Sequence, residues 1–487
     1  MDKHTAFKSL KRRLPELEEP EQRIKHFKEF EKEMPVNLLN EQSTRCMDCG
    51  VPFCHSACPL GNKIPDFNDA VMRKSWQEAY EILSSTNNFP EFTGRICPAP
   101  CEGACVLGIN NEAVTIEYIE KVIAEKAFEN GWVKLESQRQ KKHEKIAIIG
   151  SGPSGLSCAE ELTKRGYEVT VYERDKSIGG LLRYGIPDFK LQKNIIDRRI
   201  NVMLSAGIKF ETNVEIGVDV FIDDILNEFD VIVLCIGSTK ARNLDVEGRS
   251  LNGIFYAMDF LKMANKNIAG EDSEIINCEG KDVLVIGGGD TGSDCIGTAH
   301  RLAAKSVTQF ELLSKPPASR SVENPWPQWP LVLRKSSSHS EGGQREWCIL
   351  TKRFVSDNGK DLSGVEIVDV KWLKDDNGHY TMSEVPESER FIPCQIAFIA
   401  IGFSSPILTG KMSNLGLSLD DKDNIQTHNY QTSIPNIFAA GDARIGQSLV
   451  VYAIAEGRKV ADSIHDYLYS KSENKFLEPN FEDAFKV

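Results

Sequence analysis

Nothing in the 487-residue sequence is apolar for long enough to cross a bilayer. The longest uncharged stretch, Phe391 to Gly410, is interrupted by Pro393, Gln395, Gly402 and Pro406. Its continuous part falls well short of the roughly 20 apolar residues a spanning helix needs, and it reads as a buried strand plus turn. The first twenty residues, MDKHTAFKSLKRRLPELEEP, are charged and lack the apolar core of a secretory signal. A cationic excess is also missing: 58 Lys+Arg against 71 Asp+Glu leave a net charge of −13. That balance excludes a general nucleic-acid binder, although a local basic patch for an anionic cofactor remains allowed. Thirteen cysteines, an odd number, cannot all pair within one chain, so no complete disulfide framework is expected. No Ser-His-Asp order and no metalloprotease motif stand out among the nine histidines. These absences point to a cytoplasmic protein without membrane or nucleic-acid partners. The length is enough for two to four domains, each with its own core.

What is present is unevenly distributed. Seven of the thirteen cysteines lie between Cys46 and Cys105. The first four follow the pattern Cys46-x2-Cys49-x4-Cys54-x3-Cys58, with Pro59 next, and the other three read Cys97-x3-Cys101-x3-Cys105. Zinc sites usually separate two ligand pairs by a longer spacer. A dense run ending in Cys-Pro is closer to the bacterial ferredoxin pattern, and its middle spacing is longer here, so iron–sulfur ligation is favoured over zinc. Two tetranuclear clusters need eight ligands and this region offers seven cysteines. In the expected helix over 113–130, Ile116, Ile119, Ile123 and Ala127 form an apolar face with Glu120 at its edge. A carboxylate there needs a partner, either as the eighth ligand or in a salt bridge. A second helix is expected over 64–83, and the charged segment 131–145 marks a domain boundary.

Beyond it the pattern changes to β-α-β. A strand at 146–149 enters Gly150-Ser151-Gly152-Pro-Ser-Gly155, a helix runs to Lys164, and a strand at 168–172 ends at Glu173. The first glycine permits the tight turn, the second lets the backbone approach a pyrophosphate, and the third allows close helix–strand packing. Glu173 stands where a carboxylate accepts bonds from ribose hydroxyls. A second copy starts at 283–286, with Gly287-Gly-Gly289-Asp290-Thr291-Gly292 and then Glu311 at the end of a strand near 307–313. Late in the chain Ile437-Phe-Ala-Ala-Gly441-Asp442 forms a short apolar strand ending in Gly-Asp. In two-dinucleotide flavoproteins this Asp bonds the ribityl chain of the flavin, which assigns FAD to the first turn and a nicotinamide dinucleotide to the second. The FAD domain is then interrupted by the nicotinamide domain. Gly180 and Arg183, in the glycine-rich segment 179–185, are candidates to line the flavin. Glu311 argues for an unphosphorylated ribose, whereas Lys315 and Arg320 argue for the phosphate of NADPH. Residues 314–345, rich in Pro, Ser and Trp, read as a long surface excursion in which Trp326 and Trp329 are packing anchors. The other cysteines, such as Cys235 after an apolar run, are expected to be inert thiols.

The run Arg45-Cys-Met-Asp-Cys-Gly-Val-Pro-Phe-Cys54, with Cys58-Pro-Leu-Gly-Asn62, Ile64-Pro-Asp66 and Asn87 through Cys105, resembles the small (beta) subunit of glutamate synthase. The likeness continues through both glycine turns to Gly441-Asp442 and extends to the N-terminal half of dihydropyrimidine dehydrogenase. It implies that Cys46, Cys49, Cys54 and Cys105 hold one [4Fe–4S] cluster. Cys58, Cys97 and Cys101 would hold a second, with Glu120 at the position of a glutamine ligand in dihydropyrimidine dehydrogenase. It implies FAD, NADH or NADPH, and two [4Fe–4S] clusters as cofactors, and the glutamate synthase large (alpha) subunit as partner. Asn324 to Pro330 resembles the NADH-type branch, but Arg334 to His339 departs from the pattern of that branch. The expected fold class is α/β: a mainly helical iron–sulfur domain (1–143), then two Rossmann-like dinucleotide-binding domains. FAD-binding parts fall at 144–246 and 396–487, with the nicotinamide domain (247–395) inserted. Rival readings are a related oxidoreductase serving ferredoxin or another acceptor, and a redox sensor without turnover.

Overall fold

The computed structural model describes residues 3–136, 141–271, 274–375 and 379–477. Part of the 131–145 boundary segment and the polar tail from 478 onward lie outside the described residues. Up to residue 136 the described chain is helical, with no strand. The helix expected over 64–83 is two helices, Ile64–Met72 and Trp76–Ser84, because Lys74 between them takes a left-handed conformation with φ 63°. The helix expected over 113–130 runs Ile116–Glu129, and its face of Ile116, Ile119, Ile123 and Ala127 is buried as the spacing requires.

Fourteen strands follow among the described residues: β1 (Lys145–Ile149), β2 (Glu168–Glu173), β3 (Lys209–Thr212), β4 (Val231–Leu234), β5 (Ile254–Tyr256), β6 (Asp282–Ile286), β7 (Ser306–Glu311), β8 (Gln344–Trp347), β9 (Ile349–Val355), β10 (Gly364–Lys374), β11 (Tyr380–Glu384), β12 (Arg390–Pro393), β13 (Ile396–Ile399) and β14 (Ile437–Ala439). Two parallel sheets carry the fold, in the orders β14-β4-β1-β2-β3 and β5-β13-β6-β7-β8. A small antiparallel sheet is built around β10. The inner strands are apolar throughout because both faces are covered. Ile146 and Ile148 of β1 enter one core, while Ala147 and Ile149 enter another. The second sheet divides in the same way, with Val283 and Val285 on one side and Leu284 and Ile286 on the other.

β14 pairs with β4, so the first sheet is completed only after the second domain has been inserted. The second domain extends further than the expected boundary at 395. β13, placed by sequence in the second FAD-domain part, lies between β5 and β6. An apolar four-residue strand carries no mark of which parallel sheet it joins.

The parts are tied by a buried ionic junction. Glu341 receives the Arg301 guanidinium at 2.7 and 3.0 Å, and Arg23 approaches it at 2.8 Å as an ion pair rather than an aligned hydrogen bond. All three side chains are at most 2% exposed. Arg301 also lies 3.8 Å over the Phe189 ring of the first dinucleotide domain. Among the described residues no helix is long and apolar enough to cross a membrane.

Candidate cofactor sites

Cys46, Cys49, Cys54 and Cys105 surround one small cavity of about 20 Å³, closed by Phe53, Ile64, Leu107 and Ile116. Arg45 aligns its two halves. Its buried guanidinium donates to the carbonyls of Leu10, Glu112 and Ala113, which ties the start of the first cysteine run to the loop after Cys105. Burial pushes the Cys54 thiol up to about 12, and its three cysteine neighbours push in the same direction. Such thiols keep their protons until a positive centre replaces them.

Cys58, Cys97 and Cys101 form a second group. Burial raises all three thiols, that of Cys58 to about 11. The Glu120 carboxylate lies close enough to raise each of them further, whereas Glu117 acts on Cys97 alone of the three. Glu120 is 5% exposed, and burial pushes its carboxyl up to about 7. It makes no salt bridge. Asn62 Nδ2 donates to Glu120 Oε1 at 3.0 Å, and Thr86 Oγ1 donates to Asn62 Oδ1 at 2.9 Å. One oxygen is thus oriented by an amide while the carboxylate faces three thiols. Among the described residues no three His, Cys, Asp or Glu side chains converge closely enough for a single metal ion. The two sets, four thiols and three thiols plus a carboxylate, have the donor number and softness that a pair of iron–sulfur cubanes requires.

The first glycine turn opens a cavity of about 460 Å³. Gly150 has φ 105°, and a Cβ there would lie 2.3 Å from the Cys235 carbonyl that ends β4. Gly155 is equally constrained, its Cβ falling 2.0 Å from the Gly150 carbonyl. Gly152 has nothing within 4 Å, which leaves its face open to a pyrophosphate at the start of helix Pro153–Lys164. Glu173 caps the turn. It accepts from the Ser151 backbone N–H and hydroxyl, and its other oxygen accepts from Asp175 N at 2.9 Å. Gly179 N donates to Ser151 Oγ at 3.0 Å, which brings Gly180 into the cavity wall. Asp442, after Gly441 at φ 70°, lines the same cavity. Burial pushes its carboxyl up to about 6, and Ser448 Oγ donates to it at 2.6 Å. Lys262 reaches in from the inserted domain and pairs with Asp175 at 2.6 Å.

The second turn repeats this build. A Cβ on Gly287 (φ 120°) would lie 2.2 Å from the Ala400 carbonyl that follows β13, as Gly150 meets Cys235. Gly292 packs on the Gly287 carbonyl, and Gly289 is open. Asp290 and Thr291 begin helix Asp290–Arg301. Glu311 stands over the turn: a methyl group on Gly288 would fall 1.3 Å from its Oε2. Burial raises this carboxyl, and Arg345 on the neighbouring strand opposes the rise. The buried Gln309 donates to the Gly287 carbonyl at 2.8 Å and contacts His339 Nε2 at 3.0 Å. Ser336 N donates to His339 Nδ1 at 3.2 Å, which leaves Nε2–H for the Gln309 oxygen. Burial holds His339 down to about 4, so the ring is neutral in this role.

Two sequence candidates stand elsewhere. Arg183 donates to the Ile178 carbonyl and pairs with Asp197, outside the lining of the first cavity. Arg320 donates to the carbonyls of Gln328 and Gly103, on the cysteine-bearing domain. The 314–345 excursion is therefore not a free surface loop. Trp326 lies 4.6 Å from the Phe53 ring beside Cys54, and a Cβ on Gly103 would meet Pro330 at 3.0 Å. Asn62, Gln309 and His339 were missed from sequence. An amide gives no signal of what it orients, and His339 lies in the very segment that departs from the expected pattern.

Known families cover nearly all of the chain. The model described as dihydropyrimidine dehydrogenase domain II, 4Fe-4S cluster, matches residues 23–132. The pyridine nucleotide-disulphide oxidoreductase model matches 144–328 and 352–457. "Glutamate synthase [NADPH] small chain" of Mycobacterium tuberculosis (strain ATCC 25618 / H37Rv) is 44% identical over 468 residues, 95% of each chain. "Glutamate synthase [NADH]" of Schizosaccharomyces pombe is 44% identical over 481 residues, 95% of this chain and 23% of that one. Among solved structures, Mycobacterium tuberculosis FprA in complex with NADPH superposes with a TM-score of 0.55 at 16% identity, covering 69% of this chain and 86% of that one. That likeness concerns the fold alone.

Proposed function

The chain belongs to the family of glutamate synthase small chains, and from that premise we propose that it is the electron-input subunit of a glutamate synthase. When bound, the cofactors supply the redox chemistry: NAD(P)H + FAD + H⁺ gives NAD(P)⁺ + FADH₂, and two one-electron acceptors then take the pair. The residues of this chain position those groups. The first turn, with Glu173 and Asp442, holds FAD. The second turn, with Glu311 and the Gln309–His339 relay, holds the nicotinamide dinucleotide. Cys46, Cys49, Cys54 and Cys105 hold one [4Fe–4S] cluster, and Cys58, Cys97, Cys101 and Glu120 hold the other. Electrons leave for a large subunit that forms glutamate from glutamine and 2-oxoglutarate in the cytoplasm.

The observation that carries this reading is the repetition of one glycine-turn geometry on two sheets of a single chain, beside two cysteine groups. Two dinucleotides and a route for single electrons are then served by one polypeptide. The test is anaerobic titration of the purified chain. NADH or NADPH should bleach the flavin and reduce artificial acceptors, and glutamate should appear only after the large subunit is added. Glutamate made by the single chain would refute the division of labour, and a flavin untouched by either nucleotide would refute the electron-input role.

A further inference from the structure

We propose that Glu311 makes this chain selective for NADH over NADPH, a proposal that rests on reading the second glycine turn as the nicotinamide site. The two nucleotides differ only in a phosphate on the adenosine ribose 2′ oxygen. In this fold that ribose lies at the end of the second strand of the unit, beside the glycine turn.

Three observations converge there. The Glu311 carboxylate, at the end of β7, occupies the space directly over Gly288, and only a glycine leaves room for it. At the same position of the first turn, Glu173 is already clasped by Ser151 and Asp175. Gly288 has no side chain with which to occupy the Glu311 oxygens, so they are left to accept from ribose hydroxyls. A 2′-phosphate brought to the same place would meet a carboxylate at contact distance, and like charges so placed exclude the wrong partner.

Arg320 is held by the carbonyls of Gln328 and Gly103. Lys315 lies 4.9 Å over the Trp347 ring. Arg345 is the one cation that acts on Glu311, and its Nη1 donates to the Arg334 carbonyl at 3.0 Å. With Glu311 in place, Arg345 balances a carboxylate. Without it, Arg345 is free to face a phosphate.

The test is calorimetric binding of NAD⁺ and NADP⁺ to the flavin-loaded protein, which needs no turnover, together with anaerobic flavin bleaching by NADH and NADPH. The wild-type chain should prefer the unphosphorylated form on the order of 100-fold. Glu311→Ser should reduce that preference to less than about tenfold, chiefly by gaining affinity for NADP⁺, and Arg345→Gln added to it should remove the gain. Gly288→Ala, which displaces the carboxylate from the opposite side, should act like Glu311→Ser. Retained flavin absorbance shows that each variant is folded. NADP⁺ binding to wild type as tightly as NAD⁺, or an unchanged preference in Glu311→Ser, overturns the selector and leaves the nicotinamide site standing. Binding of neither nucleotide overturns both.

Discussion

Asn62 donates its side-chain amide to Glu120 at 3.0 Å in a site that is otherwise thiol-lined and closed to solvent. The amide is itself fixed by Thr86, so the carboxylate is held with one oxygen satisfied and the other available. Groups that orient a ligand in this way typically contribute 10–100-fold to metal affinity. Asn62→Leu should therefore speed the loss of about half of the iron to a chelator by roughly that factor, leaving the other half unchanged. Iron analysis of the wild type should give about eight per chain, and Glu120→Ala should fall toward about four. Equal lability of all the iron in Asn62→Leu would speak against two separate sites.

The two kinds of glycine in the first turn predict different failures. Gly152→Ala meets nothing within 4 Å and should fold, yet its methyl group stands where the pyrophosphate must approach. That variant should be soluble, melt like wild-type apoprotein and carry little flavin. Gly150→Ala sets a Cβ 2.3 Å from the Cys235 carbonyl at φ 105° and should lower stability outright. Absorbance at the flavin band, read beside a thermal melt, separates the two.

Glu341→Ala leaves Arg23 and Arg301 buried without their carboxylate. Breaking a buried pair in this way costs about 3–5 kcal/mol. A lower urea midpoint should result, and replacement of Glu341 on the surface of the small sheet's neighbour would not mimic it, since an exposed pair such as Lys352–Glu384 contributes only about 0–1 kcal/mol. Glu384→Ala is the matched control, expected to leave the midpoint unmoved.

His339 gives a pH signature. Burial holds its pKa near 4, below the ordinary value of 6.5, so the unfolded chain takes up a proton that the folded site refuses. Its contribution to stability is complete above pH 6.5 and is lost as pH falls toward 4. His339→Gln should remove that acid component from the stability profile and, by loosening Gln309, raise the nicotinamide KM while flavin content stays constant. An acid profile identical to wild type would refute the assignment.

Asp442 titrates with the opposite sign. Its carboxyl is raised to about 6, so the folded apoprotein holds a proton that the unfolded chain has already released. Its share of stability is present at low pH and lost as pH rises through about 6. Asp442→Asn should flatten that descent in flavin-free protein, as followed by denaturant midpoints between pH 4.5 and 7.5.

Short-range chemistry was readable before the fold was known. The spacing from Cys46 to Cys58, the glycines of both turns, and Glu173 and Glu311 each declare themselves because the local backbone demands those residue types. Sheet membership did not, since β13 is as apolar as β1 and joins the second sheet through partners distant in sequence. The break at Lys74 escaped the helical periodicity, which continues on either side of it. Arg320 carried the right charge in the right stretch, but the Gly103 carbonyl, more than two hundred residues earlier, decides where it points.

That same reach of Arg320, Trp326 and Pro330 back to Phe53 and Gly103 sets an order of events during biosynthesis. Chains fold from the N-terminus as they leave the ribosome. The cysteine loops are complete long before residues 320–330 exist. For that interval the thiols form a finished but uncovered receptacle, open to the machinery that delivers iron and sulfide and equally open to oxidants. Arrival of the excursion ends the interval, so a chain released without its clusters carries its own cover over the unfilled sites.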